Sequence, residues 1–244
     1  MYREEMRSGH DELQYHYFEL SPTDPFFKEG AEPIARCYQY VYGTDKAWSE
    51  GKFCPKCSRP GAPRKWNLHD APAVCPDCQE PTNNFWPIAN IIADMGEEMA
   101  RPHAVCVVAC HLTVVVGGCW GFSATAEEMD HHLNHSVEPE ARAPGVAAAL
   151  RERFPNVARF AYQDEIFVQP EWQGKGVGRK MFAMRHRRFV ETGLGAYVMR
   201  TKTNPPSSSY LWYASPKWGY EVVARYPDAD ERVILAQSFD RIPI

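Results

Sequence analysis

This sequence predicts an α/β (α+β) fold: one main domain with a small metal-stapled insert. Three observations carry that expectation. Strand-like and helix-like hydrophobic periods succeed one another along the chain. A glycine-rich turn joins an apolar strand end to a basic helix at residues 167–180. Two Cys-x-x-Cys pairs stand 17 residues apart in the first third. With 244 residues the chain can bury a full α/β core and still hold an accessory module.

In order, residues 13–20 alternate aromatic and polar side chains and predict a strand, which Ser21-Pro22-Thr23-Asp24-Pro25 ends. Asp24 offers an N-cap and Pro25 a first helical position, so a helix is expected through about Tyr42. Residues 84–100 carry apolar side chains at 85, 88, 91, 92, 95 and 99, a helical period. The apolar run 104–122 is long enough to suggest a membrane span. Its six valines, Gly117 and Gly118, and the break at 111–113 suit a buried β-hairpin better, and no membrane contact is expected. A polar helical region at 126–154 and a strand at 159–168 follow. Beyond the glycine turn come a helix to about Thr192, a strand at 196–201, a short helix, and closing strands near 220–226 and 232–239.

Cys54-Pro55-Lys56-Cys57 and Cys75-Pro76-Asp77-Cys78 have the spacing of a four-thiolate zinc site, in which two tight knuckles close a tetrahedron. Turn residues rather than a helix follow each pair, which argues against a redox motif; a disulfide or free thiols are the alternatives. With Cys54, Cys57, Cys75 and Cys78 filling all four positions, no site is left for a reacting water, so the metal is expected to be structural. Between residues 52 and 82, five basic residues oppose three acids, and Arg64, Lys65, Trp66 and His69 sit on the intervening loop. Such a face can meet a nucleic acid or an acidic protein, or can be a solvated surface whose Trp66 packs on the main domain. The formal net charge of −4 argues against nucleic-acid binding by the whole chain. His131 and His135 stand one helical turn apart but lack the His-Glu-x-x-His pattern of a hydrolytic metal site. Cys37, Cys106, Cys110 and Cys119 are scattered among apolar neighbours, the usage of a reducing compartment, and residues 1–5 form no apolar signal core; a cytoplasmic protein is expected.

In the glycine turn, Gly174, Gly176 and Gly178 let the backbone pass through positive φ and aim successive amides at one anion, while the helix start adds partial positive charge. The stretch reads as a phosphate cradle. It is not a P-loop, because Gly176 follows Lys175 where a hydroxyl residue is required, nor a dinucleotide fingerprint, because Arg179 and Met181 occupy the positions of its third glycine.

The remaining pattern, Gln173-x-x-Gly176-x-Gly178 behind a Val168-x-Pro170-x-x-Gln173 lead-in, resembles the acetyl-CoA pyrophosphate loop of the GNAT N-acetyltransferase superfamily. The order of elements is similar to the GNAT fold across nearly the whole chain. The resemblance implies a mixed central sheet flanked by helices, with one domain over 1–244 interrupted by the zinc ribbon at 52–82. Asn204-Pro205-Pro206, then Tyr210, Tyr213 and Gly219-Tyr220, looks like the family's second signature. Ser215-Pro216-Lys217-Trp218 lengthens the helix exit relative to the family, so Tyr210 and Tyr213 both stand as candidates.

The activity so implied is transfer of an acetyl group from acetyl-CoA to a primary amine. The resemblance assigns the phosphates to the loop amides of Gln173, Gly174, Lys175, Gly176, Val177 and Gly178, with Arg179 and Lys180 balancing charge. It assigns the pantetheine to the backbone of Phe167 and Val168, and gives Asn204 a cofactor contact, a helix cap, or both. Tyr213 or Tyr210 would return a proton to the departing thiolate. Glu165 shares a strand face with Phe167; a carboxylate among Ile166, Phe167 and Val168 is suited to accept a proton. No cysteine lies where the motifs mark a covalent intermediate, so direct attack is expected. By the same topology the ribbon falls on the acceptor side. The acceptor, a small or a macromolecular amine, stays open, as does the oligomeric state, a dimer included. The rival reading is a zinc-ribbon module that binds nucleic acid or protein, attached to a CoA-sensing domain with weak catalysis.

Overall fold

The computed structural model describes residues 15–20, 25–58, 63–135, 137, 139–227 and 231–242. The expected cap Asp24 and the first residues of the expected opening strand, Leu13 and Gln14, lie outside them. In chain order the elements are β1 (Tyr15–Leu20), α1 (Pro25–Thr44), β2 (Lys52–Phe53), β3 (Lys65–Trp66), β4 (Asn83–Asn84), α2 (Ile88–Met99), β5 (Val105–His111), β6 (Val114–Ala124), α3 (Ala126–Asn134), α4 (Val146–Arg153), β7 (Phe160–Val168), α5 (Val177–Glu191), β8 (Ala196–Lys202), α6 (Ser208–Tyr213), β9 (Glu221–Arg225) and β10 (Arg232–Ser238).

Seven strands form one sheet in the order β1-β5-β6-β7-β8-β10-β9. All neighbours are antiparallel except β7 and β8, whose parallel pairing needs the crossover helix α5. The middle of this sheet is covered on both sides, which explains the unbroken apolar run at 104–122. Cys106, Val108 and Trp120 pack with Ile34, Tyr38, Met95 and Met99 of α1 and α2. Val107, Val116 and Cys119 pack on the opposite face with Val177, Met181 and Met184 of α5. A strand buried on both faces loses its alternation and reads as continuous hydrophobicity. No described helix is long and apolar enough to cross a membrane.

Helix α2 starts at Ile88, later than the period predicts, because Asn83–Asn84 pairs with β2 and Pro87 occupies the N-cap. Phe85 packs edge-on against Phe53 of the insert instead. The three-stranded insert sheet, ordered β3-β2-β4, therefore extends to Asn84, past the expected boundary at 82. Residues 126–154 divide into two helices, α3 opening with a capping box between Thr125 and Glu128.

Two irregularities in the sheet matter for the site. The register between β6 and β7 slips where Trp120 faces Glu165 and Gly121 faces Gln163, so Asp164 is an extra, bulged residue. The strands come so close there that a Cβ on Gly121 would lie 2.1 Å from the Tyr162 carbonyl oxygen. In addition, β7 and β8 pair only at Ala161–Tyr197 and Tyr162–Val198. Beyond Tyr162 they part, and the sheet opens.

Candidate active site

The glycine turn leaves β7 at Val168, passes through a short 3-10 turn at Pro170–Trp172 and enters α5. Gly174 and Gly176 take φ of 73° and 82°, where a side chain is strained, and Gly176 is the N-cap. Among the described residues no acceptor meets the amides of 174–179; the first helical bond runs from the Lys180 amide to the Gly176 carbonyl, 3.0 Å. Gly174, Gly176, Val177, Gly178 and Arg179 of this stretch border a cleft of about 510 Å³.

Of the residues the sequence marks for a cofactor, Phe167, Val168, Gln173, Gly174, Gly176, Val177, Gly178 and Arg179 line this cleft. Lys175 and Lys180 are not among its lining; the Lys175 ammonium lies 4.5 Å from the Trp172 ring centre. Asn204 also stands apart, its amide donating to Glu231 Oε1 at 3.4 Å. The cap of α6 is Ser207, whose hydroxyl accepts from the Tyr210 amide at 3.1 Å, so the cap read for Asn204 is corrected: the helix starts three residues later than the Asn-Pro-Pro pattern suggests. Neither Tyr210 nor Tyr213 lines the cleft; α6 contributes Ser208, Ser209 and Trp212 instead. Tyr213 is fully buried, donates to Gln163 Oε1 at 3.2 Å, and burial raises its pKa.

A second cavity, of about 400 Å³, meets the cleft at Tyr42, Trp48, Ile166 and Ser209, which line both. Glu165 faces this second cavity. Its carboxylate accepts from the Tyr38 hydroxyl at 3.0 Å and from the Tyr42 hydroxyl. Burial and the neighbouring Asp164 charge push Glu165 up to about 8, with the two hydroxyls and Arg200 pulling the other way. A carboxylate poised near neutrality beside an open cavity is suited to accept a proton.

The bulge decides which neighbours Glu165 has. Without it, Gln163 would share the face of Glu165. Instead Gln163 turns to the α5 side, where it accepts from Arg185 Nη2 (2.6 Å) and donates to the Tyr220 hydroxyl (2.6 Å). The fully buried Arg185 also donates to the carbonyls of Trp120 (2.6 Å) and Glu165 (2.7 Å), fastening β6 to β7 at the irregularity. Behind Glu165, ligand atoms of Glu98, His132 and Asp164 lie within 4.8 Å of one another. Burial and Asp164 push Glu98 up to about 11, so this acid keeps its proton, while the Trp120 indole donates to it at 2.7 Å. Burial pushes His132 down to about 4, and its Nδ1 is buried with no partner among the described residues. His132, which lies between His131 and His135 in sequence, thus joins the carboxylates. Sequence inspection also missed Tyr38, Tyr42, Glu98 and Arg200. All four lie on other elements than Glu165, and no local motif ties them to it.

The insert, through Pro63 and Lys65, and the residues that follow it, Phe85 and Trp86, form one wall of the second cavity. Glu50 holds this wall in place, accepting from Lys65 Nζ at 3.2 Å and from the Trp86 indole at 2.8 Å. The sulfurs of Cys54, Cys57, Cys75 and Cys78 converge within 4.8 Å, with Cys54–Cys78 at 3.5 Å and Cys57–Cys75 at 3.9 Å. Tetrahedral zinc with bonds of about 2.3 Å sets sulfurs roughly 3.8 Å apart, so the cluster fits that ion. The loop's basic residues meet acids: Arg64 pairs with Asp77 at 2.9 Å, Lys56 with Glu80 at 3.6 Å, and Lys65 turns inward to Glu50.

No family model and no curated protein matches this sequence. Solved structures do. FeeM, an N-acyl amino acid synthase from uncultured soil microbes, is similar over 93% of this chain and 92% of its own, at a TM-score of 0.52 and 11% identity. A Drosophila melanogaster polyamine N-acetyltransferase is similar over 92% of this chain and 100% of its own, at 0.51 and 13%. At such identities the likeness concerns backbone architecture, and the conclusion is structural: the chain has the GNAT acyltransferase fold, a mixed, mostly antiparallel sheet flanked by helices.

Proposed function

We propose that this chain is an N-acyltransferase that carries an acyl group, acetyl in the simplest case, from coenzyme A to a primary amine. The observation that carries this reading is the junction of the two cavities: a cleft bordered by unfilled amides opens into a chamber containing Glu165 where β7 and β8 part. The amides of 174–179 and the start of α5 suit a pyrophosphate, with Arg179 adding charge. The edge of β7 at Phe167 and Val168, beyond its last β8 pair, suits the pantetheine amides; there the Val168 carbonyl accepts from the Gln173 side chain at 3.0 Å.

The amine arrives as an ammonium. Glu165 takes one proton and passes it to solvent, leaving a neutral nucleophile. Nitrogen then attacks the thioester carbonyl, the C–N bond forms, and the C–S bond breaks. The second nitrogen proton goes to the thiolate. We assign that delivery to Tyr42 rather than to Tyr210 or Tyr213, because Tyr42 lines both cavities and is hydrogen-bonded to Glu165. Zinc held by Cys54, Cys57, Cys75 and Cys78 would close the insert that walls the acceptor side, a structural contribution.

The test is calorimetry with coenzyme A together with thiol release from acetyl-CoA across a broad amine panel. Binding and amine-dependent thiol release are expected. Absence of heat with coenzyme A on folded protein overturns the reading.

A further inference from the structure

The acceptor cavity contains an arrangement that the acyl-transfer reading does not use. Arg200 of β8 lines the cavity, and alternation along the strand sets it on the face of Val198, the face that carries Phe122 and Tyr162. It is half-buried, and among the described residues no carboxylate lies within 4.0 Å of its guanidinium. Asp164 and Glu165 act on it only through space. A second guanidinium, that of Arg232 on β10, lines the same chamber and lies 4.5 Å over the Tyr226 ring. Lys65, the third cation there, is already matched to Glu50.

A cation partly withdrawn from water is favoured when an anion meets it. The cavity therefore carries two separated, complementary poles: carboxylates at Asp164 and Glu165, and a guanidinium at Arg200. A simple alkylamine complements only the first pole. A ligand with an ammonium at one end and a carboxylate at the other complements both, and the planar fork of an arginine suits a carboxylate in bidentate fashion. A chamber of about 400 Å³ has room for a molecule of that size.

Resting on the acyl-transfer reading, we infer that the acceptor is a free amino acid or a similar carboxylate-bearing amine, its carboxylate on Arg200 and its amine at Glu165. Arg200 is then a substrate-binding residue that sets specificity. Phosphate-bearing amines share part of this chemistry. Both are set against Arg200→Gln by the same readouts.

The experiment sets each proteinogenic α-amino acid, and 4-aminobutyrate, against its decarboxylated amine. Wild type, Arg200→Gln and Arg200→Lys are read by thiol release from acetyl-CoA and, without donor, by shift of the melting temperature. For at least one pair wild type should favour the carboxylate-bearing member by 100-fold or more in kcat/KM, on the order of what a charged hydrogen-bonded pair discriminates. Arg200→Gln should cut that preference at least tenfold, and Arg200→Lys should keep part of it. Equal turnover of both members of every pair, or an equal loss for both in Arg200→Gln, overturns the inference and leaves acyl transfer intact. If no amine releases thiol, the acyl-transfer reading fails. The inference then survives only if amino acids, and not their decarboxylated partners, raise the melting temperature of wild type and not of Arg200→Gln. Absence of that shift overturns it as well.

Discussion

The glycine-turn cleft and the cavity at Glu165 touch at Ile166 but are built by opposite means. The cleft's polar rim is mostly backbone: amides from one contiguous stretch, 174–179, released by two glycines at positive φ and aimed by one helix start. The cavity is mostly side chain. Its groups come chiefly from α1, the insert and its flanks, β7, β8 and β10, with Ser209 of α6 and Val137 and Ala141 beyond α3, and they carry charges of both signs that are partly matched within the protein. Backbone amides recognise any phosphate of the right shape, so such a site is generic. Side chains collected from several regions define one ligand, and each contributor can be exchanged without disturbing the cleft. Under the proposed function, the cleft is therefore the generic half of the site and the cavity the particular one.

Substitutions should separate the two halves. The largest effect is expected for Glu165→Gln, which should lower kcat by about 10²–10³-fold while leaving coenzyme A affinity within about twofold, measured by thiol release and calorimetry. In wild type, the base works only when ionised, so kcat/KM should rise with pH to a plateau above about 8. Stability runs the other way. Because the folded carboxyl binds its proton more tightly than the unfolded one, folding gains from that proton at low pH. The gain is lost as pH rises from 4.5 through about 8, and Glu165→Gln should flatten the decline in urea titrations across that window. A rate that instead levels near pH 5 would remove Glu165 as the base.

Gly176→Leu should act on the other half. A side chain at φ 82° is strained, and reshaping the amide cradle should weaken coenzyme A binding by about 100-fold, roughly 2.7 kcal/mol, with amino acid binding to the free protein little changed. Loss of both bindings together would mean that the halves are not separable. Chelation, or Cys75→Ser, should loosen the insert wall and raise the acceptor KM on the order of tenfold against about twofold for acetyl-CoA. Equal rises in both would refute the insert's one-sided role. Tyr42→Phe sits at the junction and should cost about tenfold in kcat with both affinities kept. Smallest of all is Arg64→Ala. Its exposed pair with Asp77 should contribute under about 0.5 kcal/mol, and retention on heparin should not change; lost retention would revive a nucleic-acid role for the ribbon.

How much could be read in advance follows the same division. The loop from Gln173 to Gly178, the strand before it and the helix after it are neighbours in sequence, so local backbone chemistry announced the cleft. The Cys-x-x-Cys pairs are similarly local. Glu165 was recognisable as a carboxylate in apolar company. Its partners were not, since Tyr38 and Tyr42 lie more than 120 positions away and hydrogen-bond to it only after α1 packs on the sheet. The signature tyrosines illustrate the converse: Tyr213 was one of two candidates from the motif, yet packing turns its hydroxyl to Gln163.

From sequence alone came the α/β class, the order of nearly every element, the four converging thiols and the glycine turn into α5, because each depends on periodicity or spacing within a few dozen residues. Tertiary structure alone decided the bulge at Asp164, the parting of β7 from β8, and the meeting of Glu165 with Tyr42 and of Asp164 with Arg200 across one cavity. The physical reason is range. A one-residue slip in a strand reverses every face beyond it, and whether the slip occurs depends on contacts such as Arg185 with two carbonyls, made by a helix that arrives later in the chain.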